Sequence, residues 1–181
     1  MGRAKKILSK RRGIGGSILI FITVGTHEQG MDRLFVEIDR LIECGIIRED
    51  VFAQIGYTEY KPRNFKYMKM IGYTEMDRLV KESEIIITHG GPGSIFHPLQ
   101  YEKIPIVVPR NDEFNEHVDN HQILFAKRLE ESKKIIAVYD IENLEKCIKN
   151  YKELSENCKV ENNSAVKFIN KFNLLINKLF K

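Results

Sequence analysis

The sequence predicts an α/β domain built on a Rossmann-like, doubly wound parallel sheet, and three observations carry that prediction. Its strand-like segments, at 18–24, 85–88 and 104–109, are near-continuous apolar runs, as expected of strands covered on both faces. Segments with helical spacing of apolar residues alternate with them along the chain. Glycines and polar residues gather where those runs end, which is where ligands sit in open parallel sheets.

Residues 18–24 form a β-branched and aromatic run ending at Gly25, a buried first strand. A helix over 31–44 follows, with Leu34, Phe35, Ile38, Leu41 and Ile42 on one face. A second strand at 51–55 closes at Gly56, and a third is expected over 66–71. Thr74 is expected to cap a helix running to Lys81, with Asp77 at the capping-box position. The strand 85–88 breaks into Gly90, Gly91, Pro92 and Gly93, and a helix runs from there to about Tyr101. Prolines at 105 and 109 bracket the next strand. A helix over 117–130, a last strand at 134–138 and helices at 141–151 and 164–181 complete the chain. The expected division is a basic extension at 1–16, disordered or left by expression, a ligand-binding domain at 17–160 and an amphipathic helix at 161–181.

At 181 residues the chain suits one ordinary domain, and 43% hydrophobic with 30% charged content reads as globular. No apolar run reaches the roughly 18–20 residues of a membrane span. Cys44, Cys147 and Cys158 are scattered, without metal-ligand spacing, and suit a reducing compartment. The net charge of +4 becomes −2 once Arg3, Lys5, Lys6, Lys10, Arg11 and Arg12 are set aside, so the domain itself offers no basic surface for nucleic acid. That basic stretch is read as an expression leader or a mis-assigned start, with an arm for anionic lipid as the alternative.

The segment from Ile85 to Phe96 is the strongest chemical signal. A buried strand delivers a bare glycine loop to a helix N-terminus, a corner suited to an anion. A plain tight turn is the alternative, but companion loops share the same rim: Gly25, Thr26 and His27 after the first strand, Gly56 and Tyr57 after the second, Ile71 and Gly72 after the third. There is no GxxxxGK[ST] loop, and Gly13, Gly15 and Gly16 precede a strand rather than follow one, so neither a P-loop nor a dinucleotide fingerprint is present. From Glu113 to Gln122, carboxylates, amides and imidazoles cluster at the start of a helix. His117 and His121 would share a helix face and could bind metal, but no third ligand is placed, and the amides suit sugar hydroxyls better.

The segments Phe21–Thr26, Thr88–Ser94, Pro105–Arg110 and Asn120–Gln122, in this order, resemble the glycosyltransferase family 28 C-terminal domain. More narrowly they are similar to stand-alone bacterial polysaccharide proteins of the EpsF, PssE and Cps14G type, relatives of eukaryotic Alg13, over about 18–138. The resemblance implies the C-terminal, donor-binding lobe of a GT-B glycosyltransferase acting on a UDP-sugar. It implies Gly25, Thr26, Gly91, Gly93 and Ser94 near the diphosphate, Ile71 offering backbone to uracil, Glu116, Asn120 and Gln122 about the sugar, and His89 and Gly90 among the substrate-binding residues. His97 stands where the family usually has a ribose-gripping carboxylate, and an imidazole cannot chelate two hydroxyls. No metal or cofactor is implied, and no DxD motif is present.

The implied reaction is inverting transfer of a hexosyl group, galactose or glucuronic acid favoured, to a lipid-linked acceptor in exopolysaccharide or capsule synthesis. His27 is the candidate general base, with a phosphate or structural contact as the alternative; the base may instead lie on a partner. The absent acceptor lobe implies an Alg14-like, membrane-anchored subunit that brings the lipid-linked acceptor and holds this chain at the inner face of the plasma membrane. The stripe Ala165, Phe168, Ile169, Phe172, Leu175, Ile176 and Leu179 could pack on its own sheet, dock that partner or touch the membrane. A non-catalytic enhancer of a separate transferase is the competing reading.

Overall fold

The computed structural model describes residues 19–158. The basic extension, the C-terminal stripe and the helix expected over 164–181 therefore lie outside the described residues. Six strands, β1 (Leu19–Thr23), β2 (Asp50–Gln54), β3 (Lys66–Met68), β4 (Ile85–Thr88), β5 (Ile106–Val107) and β6 (Ile136–Ala137), form one sheet in the order β3-β2-β1-β4-β5-β6. Every pairing is parallel, with Ile20 opposite both Val51 and Ile85. The helices are α1 (Asp32–Glu43), α2 (Tyr73–Glu82), α3 (Pro92–Leu99), α4 (His121–Glu131), α5 (Leu144–Lys149) and α6 (Tyr151–Glu156).

The two-residue period of the strands divides the core. Phe21, Phe52 and Ile86 pack with Leu79 and Val80 of α2. Ile20, Ile22, Ala53, Ile85 and Ile87 share a larger cluster with Leu34, Phe35, Ile38 and Leu41 of α1. This two-sided burial is why β1 and β4 read as unbroken apolar runs. Strand order reverses between β1 and β4, so the loops leaving those strands diverge and open a crevice at their carboxyl ends.

Four local expectations change. The third strand stops at Met68 and is an exposed edge; just beyond it the Gly56 amide donates to the Lys69 carbonyl at 2.9 Å. The helix expected from Thr74 begins at Tyr73 behind Gly72 without a side-chain cap, because Asp77 is taken by Lys81, Tyr101 and His97. The helix expected from His117 begins at His121, where Asp119 accepts the His121 amide at 3.0 Å and turns the chain first; His117 and His121 do not share a helix face. The helix expected over 141–151 is a 3-10 turn at Ile141–Asn143 followed by α5 and α6, separated at Asn150.

Candidate functional site

Thr23 and Thr88 end β1 and β4 side by side, and the loops that follow build the crevice. Gly25 has φ +72, and a Cβ there would lie 2.7 Å from the His89 ring. A Cβ on Gly91 would also collide with that ring. His89 is thus a buried spacer between the two glycines, 8% exposed, its amide donating to the Thr23 carbonyl at 3.2 Å. Burial first, and then the Arg110 charge, push its imidazole down to about 3, so it is neutral in the fold. Gly90 is pressed by Gln122, whose Cβ would lie 2.7 Å from an added Cβ.

Gly93 differs from these: an added Cβ would meet nothing within 4 Å. It lies in the first turn of α3, which has Gly91 at its N-cap and no side-chain cap. Pro92 has no N–H, and the Ser94 and Ile95 amides both donate to the Gly91 carbonyl at 3.1 Å, so Gly93 carries the amide this terminus leaves for a ligand, with the positive end of the helix dipole behind it. Ser94 is half-buried beside it. Next to this terminus a cleft of about 520 Å³ is lined by Thr23, Tyr73, Met76, Gly93, Ser94 and His97 among others. Ile71 is half-buried and packs at its edge of the core with Met76.

His97 is held inside this cleft. Asp77 Oδ1 lies 3.1 Å from His97 Nε2 and accepts the Tyr101 hydroxyl at 2.6 Å, while Oδ2 accepts Lys81 at 2.7 Å. Lys81 first, then Tyr101 and His97, hold that carboxyl well below the ordinary carboxylate range. An ionised carboxylate only accepts, so His97 donates from Nε2. The Tyr73 ring lies parallel to it, 6.0 Å between centroids.

The far wall is tied by Arg110, a residue the sequence reading set in a motif but gave no role. Its side chain is fully buried. Nη2 donates to the Val24 carbonyl at 2.8 Å, and Nη1 to those of Gln29, Gly30 and Glu116 at 2.8, 3.1 and 2.9 Å. The Arg110 amide donates to Gln122 Oε1 at 3.2 Å, which locks that amide into the wall. Glu116, expected to meet the sugar, is 3% exposed; its carboxylate holds Arg33 through two bonds and accepts the Asn111 amide. It shapes the loop from inside rather than lining the crevice. Asn120 and Thr26 are exposed.

His27 stands at the crevice mouth against His117, with ring centroids 4.9 Å apart. Burial, then Arg110 and His117, lower its proton affinity. Among the described residues no group of three or more His, Cys, Asp or Glu side chains could hold a metal. A larger hollow of about 750 Å³ runs along β6 past Tyr139, Leu154 and Cys158, away from the strand ends that gather the glycines. We take the crevice, not this hollow, as the candidate site because loop backbone, helix terminus and imidazoles converge there.

His89 makes stability pH-dependent. In the unfolded chain it takes a proton near 6.5, in the fold only near 3. Between those values the unfolded state holds the extra proton, so stability is full above about 6.5 and falls with acidification by on the order of 1.4 kcal/mol per pH unit at most. Urea midpoints measured from neutral pH downward should show this slope, and His89→Gln should remove its share.

Residues 19–179 match the sequence profile of the glycosyltransferase family 28 C-terminal domain. The UDP-N-acetylglucosamine transferase subunit ALG13 of Candida albicans is 28% identical over 122 residues, 67% of this chain and 37% of that protein. The chain thus spans little more than a third of that relative's length. Among solved structures, the kitacinnamycin glycosyltransferase has a TM-score of 0.57 at 16% identity, covering 80% of this chain and 36% of its own. The calicheamicin glycosyltransferase CalG4 has 0.57 at 10%, covering 90% and 44%. Acinetobacter baumannii MurG has 0.55 at 17%, covering 80% and 45%. At these identities the likeness is one of fold: a six-stranded parallel Rossmann-like sheet matching the C-terminal lobes of GT-B glycosyltransferases.

Proposed function

Because this chain belongs to the glycosyltransferase family 28 C-terminal domain family, we propose that it is the donor-binding subunit of an inverting, UDP-sugar-dependent glycosyltransferase that is completed by a second polypeptide. The observation that carries this reading is the uncapped N-terminus of α3, open at Gly93 and adjoining the 520 Å³ cleft at the switch point of the sheet. A diphosphate fits the Gly93 amide and the positive end of α3, and a nucleoside fits the cleft beside Tyr73, Met76 and His97. The sugar then faces Thr26 and Asn120.

Departure of a nucleoside diphosphate places negative charge on the phosphate oxygens. Fixed amides and the α3 dipole stabilise that charge without reorganising, and more strongly in the transition state than in the bound donor. The acceptor hydroxyl attacks the anomeric carbon from the opposite side and needs a base. We assign that base to the partner, because His27 stands with the phosphate-binding loops rather than across from them.

The relative's description as a subunit of a UDP-N-acetylglucosamine transferase supports UDP-N-acetylglucosamine as a donor beside UDP-galactose and UDP-glucuronic acid, and supports an Alg14-like partner. Among the described residues no helix is long and apolar enough to cross a membrane. Attachment to the inner face of the plasma membrane through that partner, a lipid-linked acceptor, a role in exopolysaccharide or capsule synthesis and kinship with the EpsF, PssE and Cps14G type belong to the same proposal. Calorimetric titration with UDP and these three nucleotide sugars tests it: micromolar to low-millimolar binding is expected, and no binding by any of them would sink the donor-site reading. Co-expression with the partner and a transfer assay then tests catalysis. The engagement of His97 by Asp77, which leaves the cleft without a free carboxylate, favours a second reading as a non-catalytic enhancer; retained transfer by the partner alone would support it.

A further inference from the structure

The imidazoles at the crevice mouth are not equivalent. His27 Nδ1 accepts the Gln29 amide at 3.3 Å, so its neutral ring donates from Nε2. His117 Nδ1 has two partners of opposite character on one residue. The Asp119 amide lies 3.3 Å away and can donate to the neutral ring, while Asp119 Oδ1 lies 3.1 Å away and can accept from the protonated one. Such a ring changes charge without losing its bond at Nδ1. The Asp119 carboxylate is ready for that role: the His121 amide and ring, its strongest partners, hold its proton affinity down.

The charged and titratable groups around the pair come from every loop of the crevice. Arg110 and neutral His89 lie behind it, and Glu28 adjoins His27. Asp119 and His121 sit on the loop of His117 itself. Glu116 is occupied by Arg33 and the Asn111 amide. Arg110 and Arg33 are the fixed cations of this set; carbonyl oxygens engage both Nη atoms of Arg110, and Glu116 and the Pro109 carbonyl hold Arg33. Among these described groups, a diphosphate entering the crevice therefore meets an amide and imidazole N–H groups rather than an unengaged guanidinium. Two imidazoles whose centroids lie 4.9 Å apart, their planes inclined at 35°, can share one positive charge but oppose a second.

Resting on the nucleotide-sugar reading above, we propose that His117 is the proton-linked contact to the diphosphate. It takes up one proton as the anion binds, donating from Nε2 to a phosphate oxygen and from Nδ1 to Asp119. His27 stays the neutral half of the pair and donates from its own Nε2. The site thereby acquires its mobile positive charge from solvent, where other diphosphate sites use a metal ion, and that charge strengthens its contact as the leaving group departs.

Calorimetric binding of UDP-N-acetylglucosamine and UDP-galactose to the full chain tests this. Their diphosphate is esterified at both ends and has no proton of its own to exchange near neutrality. Titrations near pH 7 in buffers of different ionisation enthalpy should show more than about half a proton taken up per nucleotide bound, and affinity should fall by up to about tenfold per pH unit above that. His117→Gln and His117→Asn should abolish the uptake and flatten the pH profile. His27→Asn should weaken binding yet keep the uptake, and His121→Asn should keep it too. Binding without proton uptake, uptake that survives in both His117 variants, or uptake that follows His121 instead would overturn the inference while leaving the donor reading intact. Failure of both nucleotide sugars to bind at millimolar concentration would remove the two together.

Discussion

Arg110→Met should destabilise the domain by about 3–5 kcal/mol and, in whatever fraction remains folded, abolish nucleotide-sugar binding. Methionine approximates the volume, so the loss reports hydrogen bonding rather than a cavity. Four carbonyls, of Val24, Gln29, Gly30 and Glu116, would lose their donor. Such an orphaned group costs on the order of 1–3 kcal/mol where it stays buried, and partial hydration brings four of them down to the stated total. The same carbonyls belong to the loop that carries Gly25, Thr26 and His27 and to the loop that carries His117, so the crevice loses its register along with its stability. Arg110→Lys should fall between the two, because one ammonium cannot span both Nη positions. Urea denaturation checks the first statement, and a loss below about 1 kcal/mol for Arg110→Met would mean that the loops are held by something else.

The contact of His89 with two glycines yields a second large effect with an internal control. Gly91→Ala should cost about 2–3 kcal/mol, because its Cβ meets a ring too buried to move aside. Gly91 has φ −71, which alanine adopts without strain. Combined with His89→Ala, the collision disappears, and the double variant should be less destabilised than the sum of the singles by about 1–3 kcal/mol. Gly25→Ala should behave differently. Its φ of +72 costs an L-residue roughly 1–2 kcal/mol whatever stands opposite, so His89→Ala should rescue it only in part. Additive costs at Gly91 would show that the spacer role of His89 is wrong.

Much of the architecture was legible because it rests on period and punctuation. β1 and β4 are unbroken apolar runs, α1 carries its stripe, and the glycine corner sits where a parallel sheet opens. Two of the misread boundaries share one cause. Asp77 has the spacing of a capping residue, but Lys81 one turn along its own helix and Tyr101 and His97 from a neighbouring segment draw it away. His117 and His121 have the spacing of a helix face, yet Asp119 between them turns the chain before the helix starts. In both cases a short polar side chain had two local uses, and contacts beyond the motif chose between them.

Site residues divide in the same way. Gly25, Gly91 and Gly93 look alike in sequence, but two make room for a histidine and the third leaves open space in front of a helix. Glu116 and Gln122 are polar residues in a polar loop, and the fold turns both into parts of the wall. Arg110 was visible only as a cation after an apolar strand; its acceptor on Val24 is 86 residues away.

By itself, the sequence determined the order of strands and helices, their parallel arrangement and the rim on which glycines and polar residues meet, because side-chain period and backbone freedom are local properties. Tertiary structure alone decided which of those polar groups face the crevice and which are locked behind it. A hydrogen-bond donor takes the nearest acceptor in space, and in a doubly wound sheet that acceptor usually lies on a loop remote in sequence.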